Sequence, residues 1–244
     1  MSKKVLSVIL VFALVLCISA CKKSESTPYK CTTCSNTPKA AAANDHAATG
    51  IYKGVVVGSS GIITFDLFNT TSTMTAVMIL DSQAVNLTST STYVQGQPIS
   101  AVFTGTMNGS PVTINFSCDA YGGNISVTAS ITGHPGAIIL VMKELSTALI
   151  QCFQGSISGS SSSYNGVFNL VLNTSTGTWG GEYNIPITGP STTGGASTSS
   201  GVNCTGCLGA PSSNINGTLS GDYVSGTWND GMGDTGMWSG TRTL

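Results

Sequence analysis

The chain has 244 residues, of which only 8% are charged, nine Lys/Arg standing against ten Asp/Glu. From Gly50 onward the basic residues are Lys53, Lys143 and Arg242 against eight acids, which excludes the basic stripe needed to neutralise nucleic-acid phosphates. Apolar residues make up 41% and are regularly patterned, which excludes a wholly disordered chain and leaves length for one large β domain or two small ones.

The N-terminus reads as an export signal over residues 1–20. Lys3 and Lys4 are followed by an apolar run from Val5 to Cys17, interrupted only by Ser7, and then by the small residues Ser19 and Ala20. That run is shorter than the roughly 20 residues a permanent membrane helix requires. Ile18-Ser19-Ala20-Cys21 resembles the lipobox of bacterial lipoproteins. The resemblance implies that the Cys21 thiol is lipidated and the precursor cut before it, so that several acyl chains tie the protein to a membrane. The competing reading is an ordinary signal peptide with Cys21 in a disulfide. Removing the signal with Lys3 and Lys4 leaves seven basic and ten acidic residues, a net charge of −3. In lipoproteins of enteric bacteria an acidic residue after the lipidated cysteine retains the protein at the inner membrane. Lys22 is not acidic, so the resemblance implies the outer membrane.

Residues 21–49 lack any core-forming period and hold two prolines, Cys31-Thr32-Thr33-Cys34 and the Ala40 to Ala43 run, so a flexible tether is expected there. Strand patterning begins at Tyr52 and defines a first unit over 50–150. Ile63, Phe65 and Leu67 alternate with polar residues, as do Val112, Ile114, Phe116 and Cys118, and then Ile125, Val127, Ala129 and Ile131. This period of two marks antiparallel strands with one wet face. Asn108-Gly109 is a hairpin signal. Ala137 to Met142 is apolar on both faces and predicts a central, doubly covered strand, with Lys143 to Gln151 as a link.

The second unit, 151–244, has another texture. Gly-x-apolar-x-Gly recurs at Gly155–Gly159, Gly177–Gly181, Gly217–Gly221 and Gly236–Gly240, pointing to short twisted hairpins. Residues 187–211, rich in Ser, Thr and Gly, predict a long exposed loop. The expected fold is all-β: one antiparallel barrel or two small β units in tandem. Lys143-Glu144-Leu145-Ser146, Phe153-Gln154-Gly155, Gly217-Thr218-Leu219-Ser220-Gly221 and Trp238-Ser239-Gly240-Thr241-Arg242 together resemble small Bacteroidetes-type β-rich envelope lipoproteins. That resemblance covers the signal and roughly the last hundred residues, and implies an envelope protein with no particular activity.

Six cysteines follow Cys21, an even number that in an oxidising envelope reads first as disulfides. Cys118 and Cys152 are the expected structural pair. Cys31/Cys34 and Cys204/Cys207 are expected as local disulfides or labile dithiols, with a Cys₄ zinc site as the weaker alternative. Gly155-Ser156-Ile157-Ser158-Gly159 matches a G-x-S-x-G nucleophile string, but no helix pattern follows it. His46 lies in the tether, leaving His134 as the sole usable base. Asn229 to Asp234 is faintly like a calcium loop and lacks its closing Glu. No pair of acids stands out for glycoside hydrolysis. Trp179, Trp228 and Trp238 either fill a glycine-rich core or form an exposed row for stacking on sugars. The sequence thus reads as a non-enzymatic, lipid-anchored envelope protein with no metal, cofactor or nucleic-acid partner. Its role is structural or interactive, the alternative being a binding module for a glycan or a small apolar ligand.

Overall fold

The computed structural model describes residues 29–58, 60–198 and 201–244. The signal peptide and Cys21 lie outside the described residues. Two eight-stranded antiparallel meanders stand in tandem, and no α-helix occurs among the described residues. The first runs through β1 (Gly50–Val57), β2 (Gly61–Leu67), β3 (Met74–Leu80), β4 (Gln83–Ser89), β5 (Ile99–Met107), β6 (Ser110–Cys118), β7 (Ser126–Ile131) and β8 (Ile138–Lys143). Here β8 returns to pair with β1, while β7 and β8 are not hydrogen-bonded, so the barrel is nearly closed with one seam. The second runs through β9 (Ile150–Gly159), β10 (Gly166–Asn173), β11 (Thr178–Ile185), β12 (Gly189–Thr198), β13 (Gly201–Thr205), β14 (Asn214–Ser220), β15 (Tyr223–Asn229) and β16 (Thr235–Arg242). It closes fully because β9 pairs with both β10 and β16. Two nearly closed barrels in tandem are therefore the outcome, and full closure of the second removes the exposed edges an open sheet would offer to other chains.

The period of two sorts each strand as the pattern implies. Ile63, Phe65 and Leu67 of β2, Val112, Ile114 and Phe116 of β6, and Ile139 and Val141 of β8 all enter the first core. The hairpins at Asn108-Gly109 and Asp81-Ser82 both carry positive φ at their two central residues, the geometry that matches strand twist. β8 is covered on both faces as its composition predicts, but it is not central. Ile139 and Val141 face the first core, whereas Leu140 and Met142 pack against the junction with the second barrel. There Val55, Ile62, Ile150, Cys152 and Val171 form a separate buried cluster, and Asn169 Nδ2 donates to Val56 O at 2.8 Å.

Two expectations are corrected. The 187–211 stretch is not a long loop: β12 pairs with β11 over eight residues, and its last three pair with β13. Its apolar period is missing because inward positions such as Gly195 must be small. A Cβ there would come within 3.1 Å of the Trp179 indole nitrogen. Nor is the described part of the tether, residues 29–49, loose. It lies as a strap across the same end of both barrels. Arg242 donates to Asn36 Oδ1 and to the Ser35 carbonyl, and Cys31 N–H donates to Asp222 Oδ2 at the second barrel. Lys39 N–H then reaches Glu144, and Ala41 N–H reaches Asn69 of the first barrel. Ala48 ends the strap inside the first core, its carbonyl accepting from the Tyr52 hydroxyl at 2.7 Å. Polar side-chain anchoring of this kind leaves no hydrophobic periodicity in the sequence.

Candidate functional site

The three tryptophans are core residues. Trp179, Trp228 and Trp238 are 3%, 3% and 2% exposed, which corrects the alternative of a solvent-facing sugar platform. Each indole N–H has a backbone acceptor: Trp179 to Asn203 O at 3.1 Å, Trp228 to Ser158 O at 2.9 Å and Trp238 to Thr227 O at 3.3 Å. The recurring Gly-x-apolar-x-Gly unit now has a cause. In Gly155–Gly159 and Gly236–Gly240 the period of two points both glycines and the middle residue into the barrel, so the glycines vacate the volume the large rings occupy, whereas Gly177 and Gly221 of the other two units sit in turns at positive φ. A Cβ on Gly159 would meet Trp228 at 2.8 Å, and one on Gly217 would drive into the Trp238 ring.

At the end opposite the strap this interior opens to solvent. The opening, about 160 Å³, has Ile157 of β9 and Trp228 of β15 as its floor, with Tyr183 and Ile185 of β11 and Tyr164 from the turn after β9 as its walls. Leu208, Ile187 and Met232 come from three separate loops to form the rim, and the last two are 57% and 81% exposed. Local hydrogen bonds hold these loops in place. Asp230 Oδ1 accepts the backbone N–H groups of Met232, Gly233 and Asp234 at 2.7 to 3.1 Å, which sets the turn that carries Met232. The Tyr164 hydroxyl donates to Asp234 Oδ2 at 2.6 Å, and Ser160 donates to Oδ1 at 2.8 Å. These bonds lower the Asp234 pKa, and the bond to Asp234 pushes the Tyr164 hydroxyl up to about 12. The ring of Tyr164 lies 5.2 Å from that of Trp228. The calcium-like string is thus a turn whose Asp230 and Asp234 carboxylates are engaged by protein donors.

The cysteines divide differently from expectation. Cys31–Cys34 and Cys204–Cys207 are disulfides with Cα atoms 5.5 and 5.9 Å apart. They sit at opposite ends of the second barrel, one on the strap and one beside the open mouth, so they do not combine into a Cys₄ site. Among the described residues no three His, Cys, Asp or Glu side chains gather into a metal site. The expected Cys118–Cys152 bond is absent and both thiols are free and buried. Cys118 points into the first core beside Tyr52, whereas Cys152 faces the junction between barrels, so strand alternation puts them in different compartments. Burial pushes the Cys152 thiol up to about 12.

Gly155 to Gly159 lies within β9, not on a strand-to-helix elbow, and Ser158 donates to Met237 O. His134 belongs to the first barrel, where its Nε2 is 3.3 Å from Asp81. The chemistry that sequence reading missed lies at the junction. Lys53 and Glu144 form a buried ion pair, and Glu144 also accepts Lys39 N–H at 2.7 Å and Ile150 N–H at 3.2 Å. Glu182 is fully buried with neither carboxylate oxygen hydrogen-bonded, and desolvation pushes its pKa up to about 9. Both acids were visible in the sequence, but no spacing marked them: Lys53 lies 91 residues from Glu144 on the neighbouring strand of the same barrel, and β11, which carries Glu182, packs against β1 and β8 of the first barrel. No protein-family model, no curated protein and no solved structure matches the chain.

Proposed function

We propose that the protein is a lipid-anchored, non-enzymatic interaction module of the cell envelope, held at the outer membrane through Cys21. In this reading the mouth of its second barrel seats one apolar group of a larger partner. The observation that carries the reading is the mouth itself, an apolar opening whose rim is built from three loops. Its size selects the occupant. Small-molecule sites usually measure about 300–1,000 Å³, whereas a cavity of about 150 Å³ holds a single benzene ring. An opening of about 160 Å³ therefore suits one ring or one branched aliphatic side chain, and exposed Ile187 and Met232 extend apolar contact to whatever bears it.

The strap supports the same reading. Residue 29 follows Cys21 by eight positions, so even a fully extended chain spans at most about 29 Å. A lipid on Cys21 would hold the strapped end of both barrels close to the bilayer and leave the mouth facing away from it. That is the orientation a partner-binding module requires. No catalytic role belongs to this reading, because the serine string and the one histidine outside the strap are carried by different barrels.

Two measurements test it. Replacing Cys21 with Ser, or inhibiting the lipoprotein signal peptidase, should abolish labelling by a fatty-acid probe and leave uncleaved precursor. Unchanged size and membrane attachment would remove the anchor from the proposal. Titrating the mature chain with toluene should shift the Met232, Ile185 and Ile187 methyl resonances saturably, and Met232→Asp with Ile187→Asp should weaken that response. A mouth that gives no saturable shift would sink the binding reading.

A further inference from the structure

We propose that the outer wall of the second barrel carries a separate binding site for an uncharged, hydroxyl-rich ligand, a neutral oligosaccharide or polysaccharide. The site is a solvent-open groove of about 750 Å³ across β13, β14, β15, β16 and β9. Outward-facing positions of these strands line it in two rows that follow from the register. One row is Thr218, Ser225, Ser239 and Ser156, and the next is Asn203, Asn216, Thr227, Met237 and Ser158. With neighbouring strands about 4.8 Å apart, the longer row extends about 19 Å, enough for more than one sugar ring.

The wall can dip here because of what lies behind it. Gly217, Gly226 and Gly240 face inward at this height, and a Cβ on Gly226 would fall 2.5 Å from the Gly217 Cα. The inner surface there presents bare backbone and the Trp238 ring, with no inward side chain at the glycines to hold the wall out. The glycines that make room for tryptophan inside thus shape a groove outside.

The lining selects the ligand class. None of the groove residues is charged. An ionised ligand would lose water there and gain no opposite charge, whereas an apolar one would strand the hydroxyls. Among the described residues, the side chains of Ser156, Thr218, Ser225, Thr227 and Ser239 have no hydrogen-bond partner within the protein, so their donors and acceptors are free for a ligand. A sugar hydroxyl offers both a donor and lone pairs, which matches Ser, Thr and Asn side chains in either direction. Tyr223, 37% exposed at one margin, supplies a ring edge, and exposed Met237 supplies an apolar contact for the carbon face of a sugar. The volume lies inside the range of small-molecule sites, unlike that of the mouth.

The test is affinity electrophoresis of the mature chain in gels containing dextran, laminarin, xylan or galactomannan, with polygalacturonate as the charged comparison. At least one neutral polymer should retard the protein. Asn216→Ala with Thr227→Ala should weaken that retardation about tenfold, and Ser225→Gln, which fills the groove, should do the same. Melting curves establish that the variants are folded, and should the double variant melt early, Ser225→Gln carries the test. Retardation by polygalacturonate alone, no retardation by any neutral polymer, or full retardation of the folded variants would each overturn the proposal. Met232→Asp should leave polymer binding intact, so failure here and failure of the mouth are separable.

Discussion

Glu182 makes stability depend on pH in a direction opposite to that of most carboxylates. Its side chain is fully buried on the outer face of β11, and no hydrogen bond compensates its charge. The ordinary value of 4.5 rises to about 9 in the fold, with desolvation as the cause. The folded state thus holds a proton that the unfolded chain releases above pH 4.5. For a group whose folded pKa is raised, the associated stability is complete below the unfolded value and is lost as pH climbs to the folded one. Between pH 5 and 8 the loss should run at about 1.4 kcal/mol per pH unit, or about 4 kcal/mol over the interval. Glu182→Gln keeps the shape and removes the titration. Any cost of burying the amide is the same at both pH values, so the difference between the two proteins isolates the proton. Urea denaturation at pH 5 and pH 8 should show the variant gaining about 4 kcal/mol relative to the parent on moving to the higher pH. Parallel stability profiles for the two proteins would refute a buried, unpaired Glu182.

The remaining expectations concern packing, thiols and the buried ion pair. Trp228→Ala and Trp238→Ala should each destabilise the protein by about 3–5 kcal/mol in thermal or urea unfolding, and Gly217→Ala should also be severe because its methyl enters the Trp238 ring. Non-reducing peptide mapping should recover Cys31–Cys34 and Cys204–Cys207 links, with Cys118 and Cys152 silent to thiol reagents until denaturant is added; a Cys118–Cys152 peptide would contradict the fold. Lys53→Met should cost about 3–5 kcal/mol by stranding Glu144 in the junction, and adding Glu144→Leu should restore only part of it, since Lys39 and Ile150 then lose their acceptor.

Much of the architecture was legible because it is local. Alternation with a period of two in segments such as Ile63 to Leu67 and Val112 to Cys118 states which residues share a face, and Asn108-Gly109 states where the chain reverses. Neither depends on distant residues. The all-β class and the first set of strands followed from these signals, while one barrel or two stayed open until strand pairing showed two eight-stranded sheets. The boundary failures have one origin. Where the large ring is supplied by another strand, the facing position must be small, so β12 reads as a loop although its backbone is paired along its length.

What only the tertiary structure decided is what lies on the far side of each face. Alternation places Cys118 and Cys152 on apolar faces, yet one face covers a barrel core and the other covers the neighbouring barrel, so the two thiols never meet. It places Trp179, Trp228 and Trp238 on a common face without saying whether that face is inside or outside, and closure of the second barrel settles it. The strap, the Lys53–Glu144 pair and the isolation of Glu182 rest on contacts between segments far apart in sequence, such as Cys31 with Asp222. Periodicity carries the geometry of one strand and its turns. The burial of a charge depends on which surface arrives from elsewhere in the chain.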